Sequence, residues 1–325
     1  MFHSLNYLGF VGLDFFFVLS AFLITWTLLS EAEEKKSIHF GKYFLRRGLR
    51  IWPLYFLVVG MGFGGKLVLD NYGLASEELP NILYFLSFTL NFQIIGEGTD
   101  FLFFMVFLWS ISVEEQFYIF WGLIMKYVRE HLLEIAIGII LFSLFFRWYF
   151  LDLPDTLMYH TVSLLGNFGV GAIIAWIAFT KHDWFENLLS LRRSTWYLIY
   201  VLLVLNLVAY HRLYDTSIGI IFERLFLSIL FGLVIFEQCF SKDRLFNLGK
   251  WKPVNYLGKI SYGLYMFHGI VITLVLKSQY WFGDPEGELT LCIWRPLTVL
   301  VLTIGLAALS YEFFEKNFLK LKSKL

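Results

Sequence analysis

Apolar runs long enough to form membrane-spanning helices recur along this chain, near residues 8–29, 51–66, 109–126, 134–150, 162–180, 195–210, 217–238, 260–278 and 291–313. A helical span needs about 20 mostly apolar residues, because each residue rises only 1.5 Å. The pattern therefore predicts an all-α, polytopic membrane helix bundle of about nine transmembrane helices. The run at 81–95 is apolar but short, and it contains Asn91 and Gln93. It predicts a re-entrant or interfacial segment. No internal repeat or long polar linker interrupts the pattern, so residues 1–325 read as a single integral membrane domain.

Composition agrees. The chain is 58% hydrophobic and 16% charged, whereas a soluble domain is nearer half apolar and a quarter charged. The formal net charge of zero gives no reason to expect a nucleic-acid partner. Cys239 and Cys292 stand in apolar runs without partners at metal-ligand spacing, and read as small core residues.

The cations set an orientation. All Lys and Arg except Lys66, Arg147, Arg212, Arg224, Lys277 and Arg295 fall in segments 31–50, 126–131, 181–194 and 241–259 or in the tail after residue 315. Short loops rich in Lys and Arg stay in the cytoplasm. One consistent threading puts the C-terminus inside and 67–108 outside, and it starts the chain outside. Met1 to Leu8 has no basic leader region. A chain that starts outside without one implies that a preceding inside-to-outside helix is missing, so the sequence reads as N-terminally truncated.

Polar residues inside the spans are costly, about 2.5–3.5 kcal/mol for a charge at the helix centre, and they mark function or pairing. Asp14 lies in the outer third of its span; it serves chemistry, or it is a carboxylate near the head groups that hydrates or pairs with an arginine. Arg46, Arg47 and Arg50 directly precede a span, with Pro53 suited to its first helical turn. Arg47 and Arg50 share a helical face and could grip phosphate through fork-like bonds, or they simply flank a span facing anionic lipid. Glu114 and Glu115 are adjacent in the run Trp109-Ser-Ile-Ser-Val-Glu-Glu-Gln-Phe-Tyr-Ile-Phe-Trp121. Ser112 and Glu115 face one way on a helix, while Glu114 is turned by about 100°. These acids serve chemistry or lock helix packing. His268 lies within a span, three residues after Tyr265, and is a relay group or a hydrogen-bonded core residue. Glu315 ends the last span, where an ion pair with a nearby lysine is the plain alternative. His3 lies eleven residues before Asp14, at the same expected membrane level.

Five strings in this order resemble the acyltransferase-3 superfamily of multi-pass membrane O-acyltransferases. They are Gly12-Leu-Asp-Phe-Phe-Phe-Val-Leu-Ser-Ala-Phe-Leu-Ile24, Arg46-Arg-Gly-Leu-Arg-Ile-Trp-Pro-Leu-Tyr55, Trp109-Ser-Ile-Ser-Val-Glu-Glu-Gln-Phe-Tyr118, Ile260-Ser-Tyr-Gly-Leu-Tyr-Met-Phe-His268 and Tyr311-Glu-Phe-Phe-Glu-Lys316. The resemblance implies ten helices, of which the first is mostly absent here. It implies a catalytic His at His3, with the upstream Arg of that motif lacking. Ala21 and Asn317 depart from the family's usual Gly and Pro.

The implied activity is transfer of an acyl group, acetyl by default, from cytoplasmic acyl-CoA to a hydroxyl of an extracytoplasmic sugar or polysaccharide, in a bacterial plasma membrane. His3 would be the base, with Glu115, Glu114 or Asp14 as its orienting partner, and Arg46, Arg47 and Arg50 would bind the donor's phosphates. No permanently bound cofactor and no metal are expected; the lipid bilayer and a glycan or lipid-linked sugar are the expected partners. A proton-coupled transporter using Glu114, Glu115 and His268 is the alternative of a different class, and an inactive truncated relative is a third reading.

Overall fold

The computed structural model describes residues 2–71, 79–100, 102–213, 216–242, 244–282 and 290–322. The helices run, in chain order, α1 (Phe2–Lys35), α2 (Phe40–Asn71), α3 (Ile82–Leu86), α4 (Leu90–Glu97), α5 (Phe103–Val106), α6 (Trp109–Tyr127), α7 (Leu132–Tyr149) and α8 (Pro154–Tyr159). They continue as α9 (Thr161–Thr180), α10 (Asp183–Leu189), α11 (Arg193–Leu213), α12 (Ser217–Phe240), α13 (Lys252–Lys259), α14 (Ser261–Phe282), α15 (Arg295–Ser310) and α16 (Lys316–Lys322). There is no strand among the described residues.

Helix is the only open-ended structure that satisfies its backbone polar groups in hydrocarbon, which is why apolar runs of this length adopt it. Among the described residues, 6 helices are long and apolar enough to cross a membrane, or 8 if each of two bent pairs is one span. The bent pairs are α10 with α11, at 89°, and α13 with α14, at 71°. The sequence pattern predicts about nine spans. The additional one, at 51–66, lies within the 32-residue α2. That helix begins at Phe40, so Pro53 stands in its interior and not in a first turn. The basic stretch before residue 51 is already helical, and Pro53 withholds one backbone donor and crowds the carbonyl four residues before it. The segment 81–95 forms the short helices α3 and α4, of 5 and 8 residues, broken at Ser87–Thr89 with Phe88 at φ 53°. At 1.5 Å per residue, neither is long enough to cross alone.

The chain divides into two compact units. The first comprises Met1–Phe40 and Val113–Leu248. Its core joins α1, α9, α11 and α12 through Val18, Phe22, Ile174, Trp196, Leu227 and Phe236. Lipid tails are as apolar as these side chains, so close backbone approach and polar contacts hold such helices together. Gly171 supplies the approach: a Cβ there would lie 2.2 Å from the Val18 carbonyl oxygen. The polar contacts are Ser20 with the Tyr118 hydroxyl at 2.7 Å and the Trp121 indole N–H to Thr25 at 2.8 Å. Phe117 stacks on Phe168 with ring centroids 4.0 Å apart.

The second unit comprises Gly41–Ser112 and Gly249–Leu325. Antiparallel α14 and α15 form its main pair, with Gly263 facing Ala307. Gly269 admits Phe104 and Phe107; a Cβ there would meet Phe107 at 2.8 Å. The Tyr55 hydroxyl donates to the Phe85 carbonyl at 3.0 Å and ties α2 to α3.

Candidate functional site

In the second unit, three of the five strings converge on a cleft of about 320 Å³. Arg50 from α2, Asn255 and Lys259 from α13, Tyr262 from α14, and Tyr311 and Glu315 line it. Tyr311–Glu315 is a π-helical turn between α15 and α16. The wider turn shifts side-chain register, and such turns recur at functional sites. Glu315 accepts from the Ser310 hydroxyl at 3.0 Å and attracts Arg50 electrostatically. The end-of-helix ion pair with a nearby lysine forms between Glu312 and Lys316. Two cations, an aromatic wall and polar edges suit an anion such as phosphate.

The cleft is braced by backbone contacts. The Tyr262 hydroxyl donates to the Ile51 carbonyl at 2.8 Å, beside Arg50. A Cβ at Gly263 would stand 3.2 Å from a Glu315 carboxylate oxygen, so the glycine lets that carboxylate approach α14. Arg46 donates back to the Lys42 carbonyl at 3.2 Å, along its own helix. Neither Arg46 nor Arg47 is among the residues lining the cleft; Arg50 is.

Tyr265 and His268 stand farther along α14. The Tyr265 hydroxyl donates to the Phe107 carbonyl and meets the Ser110 hydroxyl. His268 Nδ1 faces the Tyr265 carbonyl. A carbonyl can only accept, so Nδ1 carries the proton. This is the hydrogen-bonded core arrangement that the sequence offers as one reading. The same ring lines an apolar groove of about 570 Å³ with Arg295 and Thr303. Ser112, fully buried, has no hydrogen-bond partner for its hydroxyl among the described residues.

In the first unit, Glu114 and Glu115 are 2% and 1% exposed. They follow from the α6 register that also buries Phe117, Tyr118 and Trp121. Burial of two adjacent carboxylates on one span is the costly arrangement the sequence predicts. Asp14, also buried, accepts from Arg224 at 2.6 Å and from the Asn167 amide. Asn167 in turn accepts from Ser228 at 2.9 Å. The pairing alternative for Asp14 is thus realised, by an arginine from α12. His3 falls in the backbone of α1, and its side chain lies outside the described residues.

Sequence reasoning names neither Arg224 nor Asn167 as partners. It also passes over Arg147, which is 2% exposed and donates to the Ile221 carbonyl at 3.1 Å, to Ser163 at 3.0 Å and to Glu223 at 2.9 Å. Glu237 is fully buried and accepts from Tyr200 at 3.0 Å and from the Leu245 N–H at 2.6 Å. The available signal was position: Arg147 and Arg224 are two of the cations that fall off the basic segments, and Glu237 is an acid inside an apolar run. Among the described residues, no cluster of three His, Cys, Asp or Glu could hold a metal ion.

Comparison with known proteins bears on this arrangement. The chain is 28% identical over 345 residues to the peptidoglycan O-acetyltransferase OatA of Listeria monocytogenes, covering 94% of this chain and 51% of that protein. It is 26% identical over 328 residues to YrhL of Bacillus subtilis, provisionally named a peptidoglycan O-acetyltransferase, covering 95% of this chain and 50% of that protein. A Staphylococcus aureus protein provisionally named an O-acetyltransferase is 26% identical over 335 residues, covering 96% of this chain and 53% of its own length. The chain thus spans about half the length of the curated relatives it matches. No solved structure matches it significantly. A family model described as an acyltransferase domain matches residues 1–312, and the chain therefore belongs to the acyltransferase-3 family.

Proposed function

We propose that this chain is the membrane acyltransferase of a system that moves an acetyl group from acyl-CoA to a sugar hydroxyl of peptidoglycan. The observation that carries the reading is the match over residues 1–312 combined with relatives named for that acceptor. The Arg50–Lys259 cleft supports a phosphate-bearing donor, since guanidinium and ammonium groups facing a polar cleft favour phosphate. Arg46 and Arg47, on the same basic segment, would add long-range attraction for it. We place the protein in the bacterial plasma membrane with its C-terminus cytoplasmic, on the strength of the Lys and Arg distribution. A proton-coupled transporter is not favoured by the family.

The chemistry follows from what a hydroxyl lacks. It is a weak nucleophile near neutral pH, and an imidazole near its ordinary pKa can take its proton as the carbon–oxygen bond forms. The thioester carbonyl becomes tetrahedral, then collapses and expels the thiolate of coenzyme A, which recovers the proton from the imidazolium. His3 takes that role in this reading. A carboxylate orients the ring and stabilises its charged form. We assign this to Glu115 or Glu114, both buried on α6, with Asp14, which engages Arg224 and Asn167, as the further candidate. Tyr265, His268 and Ser112 then serve helix packing, and Glu315 sets the charge balance of the cleft.

Mass spectrometry of muropeptides tests the reading in cells carrying the full-length protein, wild type against His3→Ala. Loss of O-acetyl groups at an unchanged membrane level of the variant is the expected result. Undiminished acetylation in the variant removes His3 as the base, and absence of acetylation in the wild type removes peptidoglycan as the acceptor.

A further inference from the structure

A second basic cleft lies in the first unit, where α11 begins and α12 ends. It measures about 740 Å³ and is lined by Arg193, Trp196, Ser241, Lys242 and Arg244, with Leu189, Leu191 and Phe240 as apolar walls. Arg244 is fixed there: it donates to the Ser241 carbonyl at 2.9 Å and to the Cys239 carbonyl at 3.2 Å, the free carbonyls of the α12 terminus. Lys242 is exposed and has no ion-pair partner among the described residues. Arg193 lies over the Tyr197 ring at 5.9 Å. The volume falls within the range of ordinary small-molecule sites, about 300–1,000 Å³.

Its place in the fold limits the occupant. The preceding helix α10 turns 89° from α11. A helix at right angles to a span lies along the membrane surface, and Trp184 on it is 46% exposed, as an interfacial tryptophan would be. The cleft therefore opens at the level of lipid head groups. It offers three cations for a phosphate and, beside them, leucine and phenylalanine walls for the start of a hydrocarbon chain. Basic pockets between membrane helices take phosphorylated head groups for this reason. A free phosphate would use the cations and leave the apolar walls wet.

We propose that this cleft binds an anionic membrane phospholipid, with its phosphate on Arg193, Lys242 and Arg244 and its acyl chain against Leu189, Leu191 and Phe240. The site is separate from the acetyl-transfer reading and stands without it.

The test uses the full chain in nanodiscs that mix phosphatidylglycerol with phosphatidylcholine, and native mass spectrometry to count the retained lipid. The wild type is expected to retain phosphatidylglycerol selectively. Arg193→Gln with Lys242→Gln should weaken that retention on the order of tenfold to thirtyfold, and Arg193→Lys with Lys242→Arg should restore it. Equal retention by the glutamine variant overturns the proposal, provided its thermal unfolding matches the wild type; an unfolding midpoint that differs sends the test to Lys242→Gln alone, with the same two outcomes. Displacement of phosphatidylglycerol by inorganic phosphate alone assigns the cleft to a soluble anion, and displacement by coenzyme A assigns it to the donor. Either overturns the lipid.

Discussion

Asp14 and Arg224 are 210 residues apart in sequence and 2.6 Å apart in space. Both side chains are largely buried, at 4% and 11% exposed. Neither charge is tolerable in hydrocarbon without the other, so the pair fixes α1 against α12 at one height and rotation. The contact is therefore positional: it ties the register of α1 to that of α12.

Removing one partner should cost far more than removing both. Arg224→Ala leaves a buried carboxylate without its countercharge, a loss of about 3–5 kcal/mol. The double variant Asp14→Leu, Arg224→Met replaces the charges with apolar volume and should recover most of that. Thermal unfolding in detergent, followed by tryptophan fluorescence, checks the ordering. If the double variant unfolds as early as Arg224→Ala, the pair is not a self-compensating unit.

The glycines separate close packing from bystanders. At Gly171 a Cβ would meet the Val18 carbonyl at 2.2 Å and the Ala21 Cβ at 2.9 Å, and backbone cannot swing aside. Gly171→Ala should force α1 from α9 and destabilise by about 1–3 kcal/mol or more. At Gly305 nothing lies within 4 Å of the added carbon, and alanine is the better helix former there. Gly305→Ala should leave the unfolding midpoint unchanged or slightly raised. Similar midpoints for the two variants would contradict the packing described for Gly171.

The Tyr265 hydroxyl is worth more than its size suggests. It serves the Phe107 carbonyl and the Ser110 hydroxyl together. Tyr265→Phe keeps the ring but removes that hydroxyl, leaving the Phe107 carbonyl only the longer 3.4 Å bond from the Ser110 hydroxyl, at a cost of about 1 kcal/mol. Hydrogen exchange should rise at residues 104–110 and along α14, with little change in α9. Exchange that rises uniformly would instead indicate global loosening.

The helices were legible because a bilayer allows few structures. A run of about 20 apolar residues has to be helical, and nothing distant modifies that. Length fails as a guide where a helix outruns its apolar core. That is why Pro53, read as a first-turn residue from the hydrophobic edge at Ile51, proves interior to a helix starting at Phe40. The acids Glu114 and Glu115 were legible as buried because charge inside a span is conspicuous. Partners were not. Arg224 could be seen as an odd cation, yet nothing local ties residue 224 to residue 14; that pairing arises only when α1 and α12 pack. The cleft behaves likewise: Arg50, Tyr262 and Glu315 each lie in a recognisable string, but Lys259 joins them through the bend between α13 and α14.

The charge balance of that cleft gives a donor-binding prediction with a sign. Arg50 and Lys259 attract a phosphate, while Glu315 opposes it from the same wall. Arg50→Ala should weaken acyl-CoA binding by about tenfold to a hundredfold, since a hydrogen bond to a charged group is worth about 1.5–3 kcal/mol. Glu315→Gln keeps the shape and the Ser310 contact but removes the repulsion, so it should bind acyl-CoA as tightly as the wild type or tighter. Glu315→Arg adds bulk as well as charge and is less readable. Isothermal titration with acetyl-CoA and with dephosphorylated pantetheine separates the terms: Arg50→Ala should affect the first ligand strongly and the second little. Equal loss for both ligands would mean that Arg50 shapes the cleft without touching phosphate. Weaker acetyl-CoA binding in Glu315→Gln would mean that the carboxylate holds Arg50 in place and does not compete with the donor.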